Sequence, residues 1–185
     1  HGGSRCSDCA RSGADGAFLG LLDTTVHADF SESLAAISDF DGDGRADLAV
    51  GARHSYVNAG AVCLVGSASF SIAMELLDLA SSGYLGEQVQ SAGDVNGDGY
   101  SEVLASTADR ILMFDGQAGM VLRSFHPPTG FILLTKSFVG GRDFDGDGGA
   151  AFICPARSET GEEYRLLLQR LDGAGFRWSG IDLDA

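Results

Sequence analysis

The apolar residues of this chain fall in short runs broken by glycine- and aspartate-rich turns. The runs are too short for helices and read as strands. One group comprises Ser33–Ser38, Leu48–Ala52, Gly60–Gly66 and Phe70–Leu79. A second comprises Leu85–Ala92, Val103–Thr107, Arg110–Phe114 and Met120–Phe125. A third comprises Phe131–Val139, Ala151–Cys154, Tyr164–Leu171 and Phe176–Leu183. Each group therefore predicts about four strands, the content of one propeller blade. One more strand is predicted at Ala17–Leu22. Residues 1–16 carry no hydrophobic period and predict an arm or linker.

In every group an acidic loop separates the first two runs. The loops are Asp39-Phe-Asp41-Gly-Asp43-Gly-Arg45-Ala-Asp47, Asp94-Val-Asn96-Gly-Asp98-Gly-Tyr100-Ser-Glu102 and Asp143-Phe-Asp145-Gly-Asp147-Gly-Gly149-Ala-Ala151. Oxygen side chains at positions 1, 3 and 5 with glycines at 4 and 6 describe a tight turn around a hard cation, and Ca²⁺ takes such oxygens in irregular geometry. Carboxylates this dense repel one another unless a cation sits among them. An EF-hand places its bidentate Glu at position 12 and continues as a helix. Here position 12 is Val50, Ala105 or Cys154, and a strand follows. The last side-chain ligand falls at position 9, as Asp47 and Glu102, and position 7 (Arg45, Tyr100, Gly149) offers its backbone carbonyl. The expectation is two complete calcium sites and a weaker third, because Ala151 stands at position 9 there. A metal-free acidic turn is the competing reading of that third loop, Asp-Gly being a common turn pair.

The loops recur about every 50 residues, a period of propellers, solenoids or arrays. Tyr84-Leu85-Gly86 through Tyr100, with Gly51-Ala52-Arg53 in the first group, resembles the FG-GAP repeat of integrin alpha-subunit propellers and bacterial surface proteins. Leu85-Gly86 stands where the family has Phe-Gly, and Gly51-Ala52-Arg53 where it has Gly-Ala-Pro. The first repeat has Phe30-Ser31 at the former place, and the third keeps the loop and little else. The resemblance covers residues 28–185, in repeats of about 28–80, 81–128 and 129–185. It implies an all-β fold of four-stranded antiparallel blades, with the calcium loop between the first two strands. It also implies adhesion or ligand binding far more often than catalysis.

The chain has 185 residues, enough for one domain with a real core. A net charge of −14 argues against nucleic-acid partners, which need clustered Lys or Arg. No apolar stretch reaches the ~20 residues that span a bilayer. The first residue is His rather than Met, which a processed secreted chain and a trimmed one explain equally. Millimolar calcium outside cells favours a secreted or surface location. Of four cysteines, Cys6 and Cys9 form the expected disulfide, while Cys63 and Cys154 read as buried thiols. No Gly-x-Ser-x-Gly elbow is present. The acidic residues are accounted for by the loops, so no pair of glycosidase carboxylates stands out.

Three blades fall short of the four to eight of a closed propeller. The open edges are expected to be met by a longer parent chain, by a second copy closing a ring, or by copies adding as a filament. The expected contact is residues 1–22, with Ala17–Leu22 pairing far away or in another molecule. The functional expectation is an extracellular calcium-binding structural or adhesive protein, not an enzyme, with a protein or glycan ligand. The alternative is a calcium-dependent polysaccharide-acting enzyme or a lectin-like module on the same scaffold.

Overall fold

Strands β1 (Cys9–Arg11) and β2 (Phe18–Leu21) form an antiparallel hairpin. Its turn is closed by hydrogen bonds from the Ser12 amide to the Ala17 carbonyl and from the Gly16 amide to the Ser12 carbonyl. The Asp15 carboxylate also accepts from the Ala17 amide at 3.0 Å. This corrects two expectations. Part of the expected arm is a strand, and one edge of the strand expected to pair far away or in another molecule is taken by a local partner. The six-residue connection, residues 12–17, brings the two segments together at far smaller loop-closure cost than a distant partner. The computed structural model describes residues 9–21, 30–78, 83–172 and 176–179. Cys6, and with it the expected Cys6–Cys9 disulfide, lies outside the described residues.

Three antiparallel sheets follow. The first runs in chain order through β3 (Ser33–Ile37), β4 (Asp47–Gly51), β5 (Val62–Gly66) and β6 (Ser71–Leu76). The second repeats it with β7 (Val89–Gly93), β8 (Glu102–Ser106), β9 (Ile111–Phe114) and β10 (Val121–Phe125). In the third, β13 (Ala151–Ser158) pairs with β14 (Tyr164–Arg170), which pairs with β15 (Phe176–Ser179). The expected single strand Phe131–Val139 is instead two, β11 (Phe131–Leu133) and β12 (Val139–Arg142), both paired with β13. The break lies opposite Pro155, which has no amide to give the ladder. The chain turns there, with the Leu134 amide on the Pro155 carbonyl and the Ser137 amide on the Leu134 carbonyl.

The sheets stack as blades. Val103, Ala105, Leu112 and Phe114 face the first sheet and pack with Ala49, Val62, Leu64 and Leu76. Leu104, Ile111 and Met113 face the third sheet and meet Phe138, Phe152, Cys154 and Leu167. Neighbouring residues point to opposite faces, so the inner strands β8 and β9, buried on both, read as near-continuous apolar runs. Phe152 is set edge-on to Phe125 and Phe138, with centroids 5.1 and 6.2 Å away. Cys63 and Cys154 are both fully buried. Burial pushes Cys63 up to about 12, with the Glu75 charge adding to it, and burial likewise carries Cys154 to about 12.

The Phe-Gly and Gly-Ala signatures turn out to be the seam between the first two blades. A Cβ on Gly51 would stand 1.9 Å from the Gly86 carbonyl oxygen, so neither backbone tolerates a side chain at that approach. Ser33 Oγ accepts the Val89 amide across the same seam at 2.8 Å. The innermost strands β3, β7 and β12 lie side by side along an open groove of about 580 Å³. The architecture is all-β: three blades in an arc that does not close on itself.

Candidate metal centre

Each acidic loop is folded by its own first aspartate. Asp39 accepts the Gly42 and Asp43 amides on Oδ1 (2.7 and 3.1 Å) and the Gly44 amide on Oδ2 (2.7 Å). Asp94 repeats this with Gly97, Asp98 and Gly99 (2.7, 3.1 and 3.0 Å). Asp143 accepts Gly146 and Gly148 (2.7 and 3.0 Å). Wrapping the chain around one carboxylate needs positive φ at positions 4 and 6; Gly42 and Gly44 adopt 84° and 85°. The position-5 carboxylates are held in turn by position 7: the Arg45, Tyr100 and Gly149 amides donate to Asp43, Asp98 and Asp147 at 2.8, 2.8 and 2.9 Å. In the second loop Asn96 Oδ1 accepts the Asp98 amide (2.8 Å), and its Nδ2 donates to Asp98 Oδ2 (2.9 Å).

Three trios of oxygens result: Asp39, Asp41 and Asp43; Asp94, Asp98 and Glu102; Asp143, Asp145 and Asp147. Within each trio the oxygens lie within 4.8 Å of one another. Desolvation, then the charges of Asp47, Asp43 and Asp39, raise Asp41 above the ordinary carboxylate range, against the Asp43 amide.

Position 9 separates the loops. Asp47 is fully buried and stands beside the first trio rather than in it, with Oδ2 accepting the Phe40 amide (3.0 Å) and Oδ1 the Ser67 amide (2.7 Å). Glu102, also fully buried, reaches one methylene further. Its Oε2 accepts the Val95 and Asn96 amides at 2.5 and 3.3 Å. Its Oε1 is buried with no hydrogen-bond partner among the described residues. Desolvation raises its proton affinity; the two amides oppose this, and Asp98 and Asp94 add to it. A buried carboxylate oxygen left without a donor costs about 1–3 kcal/mol or more. A hard cation shared with Asp94 and Asp98 is the ligand that fits it, so the residues of the second loop suit Ca²⁺.

The third loop is built differently. Ala151 fills position 9 and is fully buried. Arg170 Nη1 donates to Asp147 Oδ2, and Nη2 donates to Asp172 Oδ2 at 2.5 Å. Arg170 pairs with Ala151 across β13 and β14. The Gly148 amide, chief among several, holds Asp143 below the ordinary carboxylate range.

Sequence reading missed Arg170, whose partner in the ladder is set by register. It also missed Ser38 and Ser101, which exchange hydrogen bonds between the first two loops. Their signal was a hydroxyl directly before Asp39 and directly before Glu102. Away from the loops, a cleft of about 430 Å³ is lined by Arg53, His54, Tyr84, Glu87 and Lys136 among others. Glu87 binds Arg53 Nη1 at 2.6 Å and Lys136 Nζ at 2.7 Å, tying together residues of all three repeats.

Residues 30–64, in the first blade, match the FG-GAP repeat, consistent with the resemblance read from the loops and the Gly-Ala signature. The match and the three stacked four- to five-stranded sheets agree on an all-β architecture of open, propeller-like blades. No curated protein matches it by sequence. Among the described residues no helix is long and apolar enough to cross a membrane.

Proposed function

We propose that this chain is an extracellular calcium-binding structural or adhesive protein whose incomplete propeller self-associates. Ca²⁺ sits in the first two loops, held by Asp39, Asp41 and Asp43 with Asp47 behind them, and by Asp94, Asn96, Asp98 and Glu102. The carbonyls of Arg45 and Tyr100 complete the shells. The observation that carries this is Glu102: its buried Oε1 has no hydrogen-bond partner among the described residues, and the residue is grouped with Asp94 and Asp98. The ion makes a rigid junction at each turn and offsets part of the −14 charge. Catalysis on polysaccharide is disfavoured: among the described residues the carboxylate lining the cleft is Glu87, which is already tied to two cations.

Self-association runs through residues 1–22, and the described strands of that segment, β1 and β2, each carry one edge beyond their mutual pairing. Thermal melting with and without excess chelator tests the calcium reading. Ions that bind only the folded state raise its stability by mass action, so chelation lowers the melting temperature. An unchanged midpoint rejects it. Light scattering of the full chain and of one lacking residues 1–22 tests the assembly, and two well-folded monomers reject that part.

A further inference from the structure

Resting on that reading of the first two loops, we infer that the third acidic loop is not a metal site: Arg170 supplies its positive charge from within the chain. The register of the blades carries the argument. Position 10 of each loop is Leu48, Val103 or Phe152, and its partner on the next strand is Val65, Phe114 or Gln169. One step back along the ladder, position 9 is Asp47, Glu102 or Ala151, and the facing place holds Gly66, Asp115 or Arg170. Where position 9 is an acid, the facing residue is neutral or acidic. Where position 9 is a methyl group, the facing residue is a guanidinium. The two changes compensate: one negative charge is lost from the loop, and one positive charge is brought to it.

The guanidinium reaches the place where an ion would be shared. Its Nη1 bonds Asp147, a member of the trio, and its Nη2 bonds Asp172. It also lies over the loop backbone: a Cβ on Gly149 would meet Nη2 at 2.6 Å. Asp143 is satisfied by loop amides at both oxygens. The buried, unpartnered carboxylate oxygen that marks the second loop has no counterpart here, because Ala151 removes it. A calcium ion in this loop would have to displace an ion pair held on two carboxylates and would gain no fourth acid. An arginine is always charged and forks between two carboxylates. The third loop therefore keeps its fold at calcium levels that empty the other two.

Counting bound calcium by equilibrium dialysis of the full chain tests this, alongside melting in chelator. The wild type is expected to hold two ions, and Asp147→Asn also two. Asp94→Asn should hold one. Ala151→Asp alone should stay at two, since the new carboxylate faces Arg170. Combining Ala151→Asp with Arg170→Gln should raise the count to three. In chelator, Arg170→Gln should melt several degrees lower than Arg165→Gln. Three ions in the wild type, or loss of one in Asp147→Asn, overturns the inference even if the double variant fails to fold. No bound ion in the wild type overturns the calcium reading of the first two loops; the inference is then decided by the Arg170→Gln melting, where no difference from Arg165→Gln overturns it.

Discussion

Ser38 and Ser101 exchange hydrogen bonds across the first blade seam: the Ser101 amide donates to Ser38 Oγ at 2.8 Å, and the Ser38 amide to Ser101 Oγ at 3.2 Å. Ser38 directly precedes the first acid of one loop, and Ser101 the last acid of the next. The pair therefore joins the two loops by one bonded step at each end. Each serine to alanine should lower stability by about 1 kcal/mol, and the double variant by less than the sum, because both bonds belong to one device. Urea midpoints of the two single variants and the double check this. Strict additivity would show that the seam does not depend on the exchange.

Glu102→Gln should act with opposite signs in two conditions. In chelator the wild type carries a buried carboxylate with one unbonded oxygen, and removing its charge raises the melting temperature. In excess calcium the same change removes a ligand charge and lowers it. The crossing should span about 1–3 kcal/mol. Asp47→Asn should lose stability in both conditions, because both Asp47 oxygens already accept amides. Calorimetric scans of both variants, with calcium and with chelator, distinguish these patterns.

Glu87 sets a pH limit. Burial alone would raise its pKa, but hydrogen bonds from Lys136 and Arg53 and their charges outweigh it and hold it below the ordinary range. Arg53 also binds Glu32 at 2.7 Å, and His54 lines the same cleft. A carboxyl with a depressed folded pKa stabilises fully above its unfolded value, and loses that as pH falls through the folded one. Stability should therefore fall below about pH 4. Glu87→Gln should start lower at neutral pH and flatten that part of the curve. Denaturant midpoints from pH 6 to pH 3 give the comparison, and parallel curves would contradict it.

Val57 is a strained surface residue. Its φ of 57° and ψ of 48° are left-handed, and its side chain is 97 % exposed. A β-branched residue in that region costs about 1–2 kcal/mol with no burial to offset it. Val57→Gly or Val57→Asn should stabilise the chain by about 1 kcal/mol. An unchanged denaturation midpoint would mean the turn relaxes around Val57.

Spacing alone made the three loops and the strands around them legible, because ligand periodicity and apolar runs are local. What escaped depends on pairing. Pro155 splits the first strand of the third blade, yet it sits in a neighbouring strand some twenty residues away. The hairpin β1–β2 was hidden because β1 is three residues of mixed polarity, ordered by its turn and partner. Asp47 and Glu102 look equivalent in sequence. One added methylene leaves Glu102 with an oxygen that no described backbone group reaches. Arg170 is a charge among many until register sets it against Ala151.

The alternation of Ile111 and Leu112 between two cores has a consequence for how the chain comes apart. Strands β8 and β9 are a party wall: every apolar side chain belongs to one room or the other. Pulling the third blade away would bare one whole face of that wall, and peeling off the first would bare the opposite face. Neither loss leaves a middle blade able to stand, so end fraying, common in linear repeat arrays, is suppressed here. The three blades should melt in one step with coincident probes, a single cooperative unit despite the threefold pattern in its sequence.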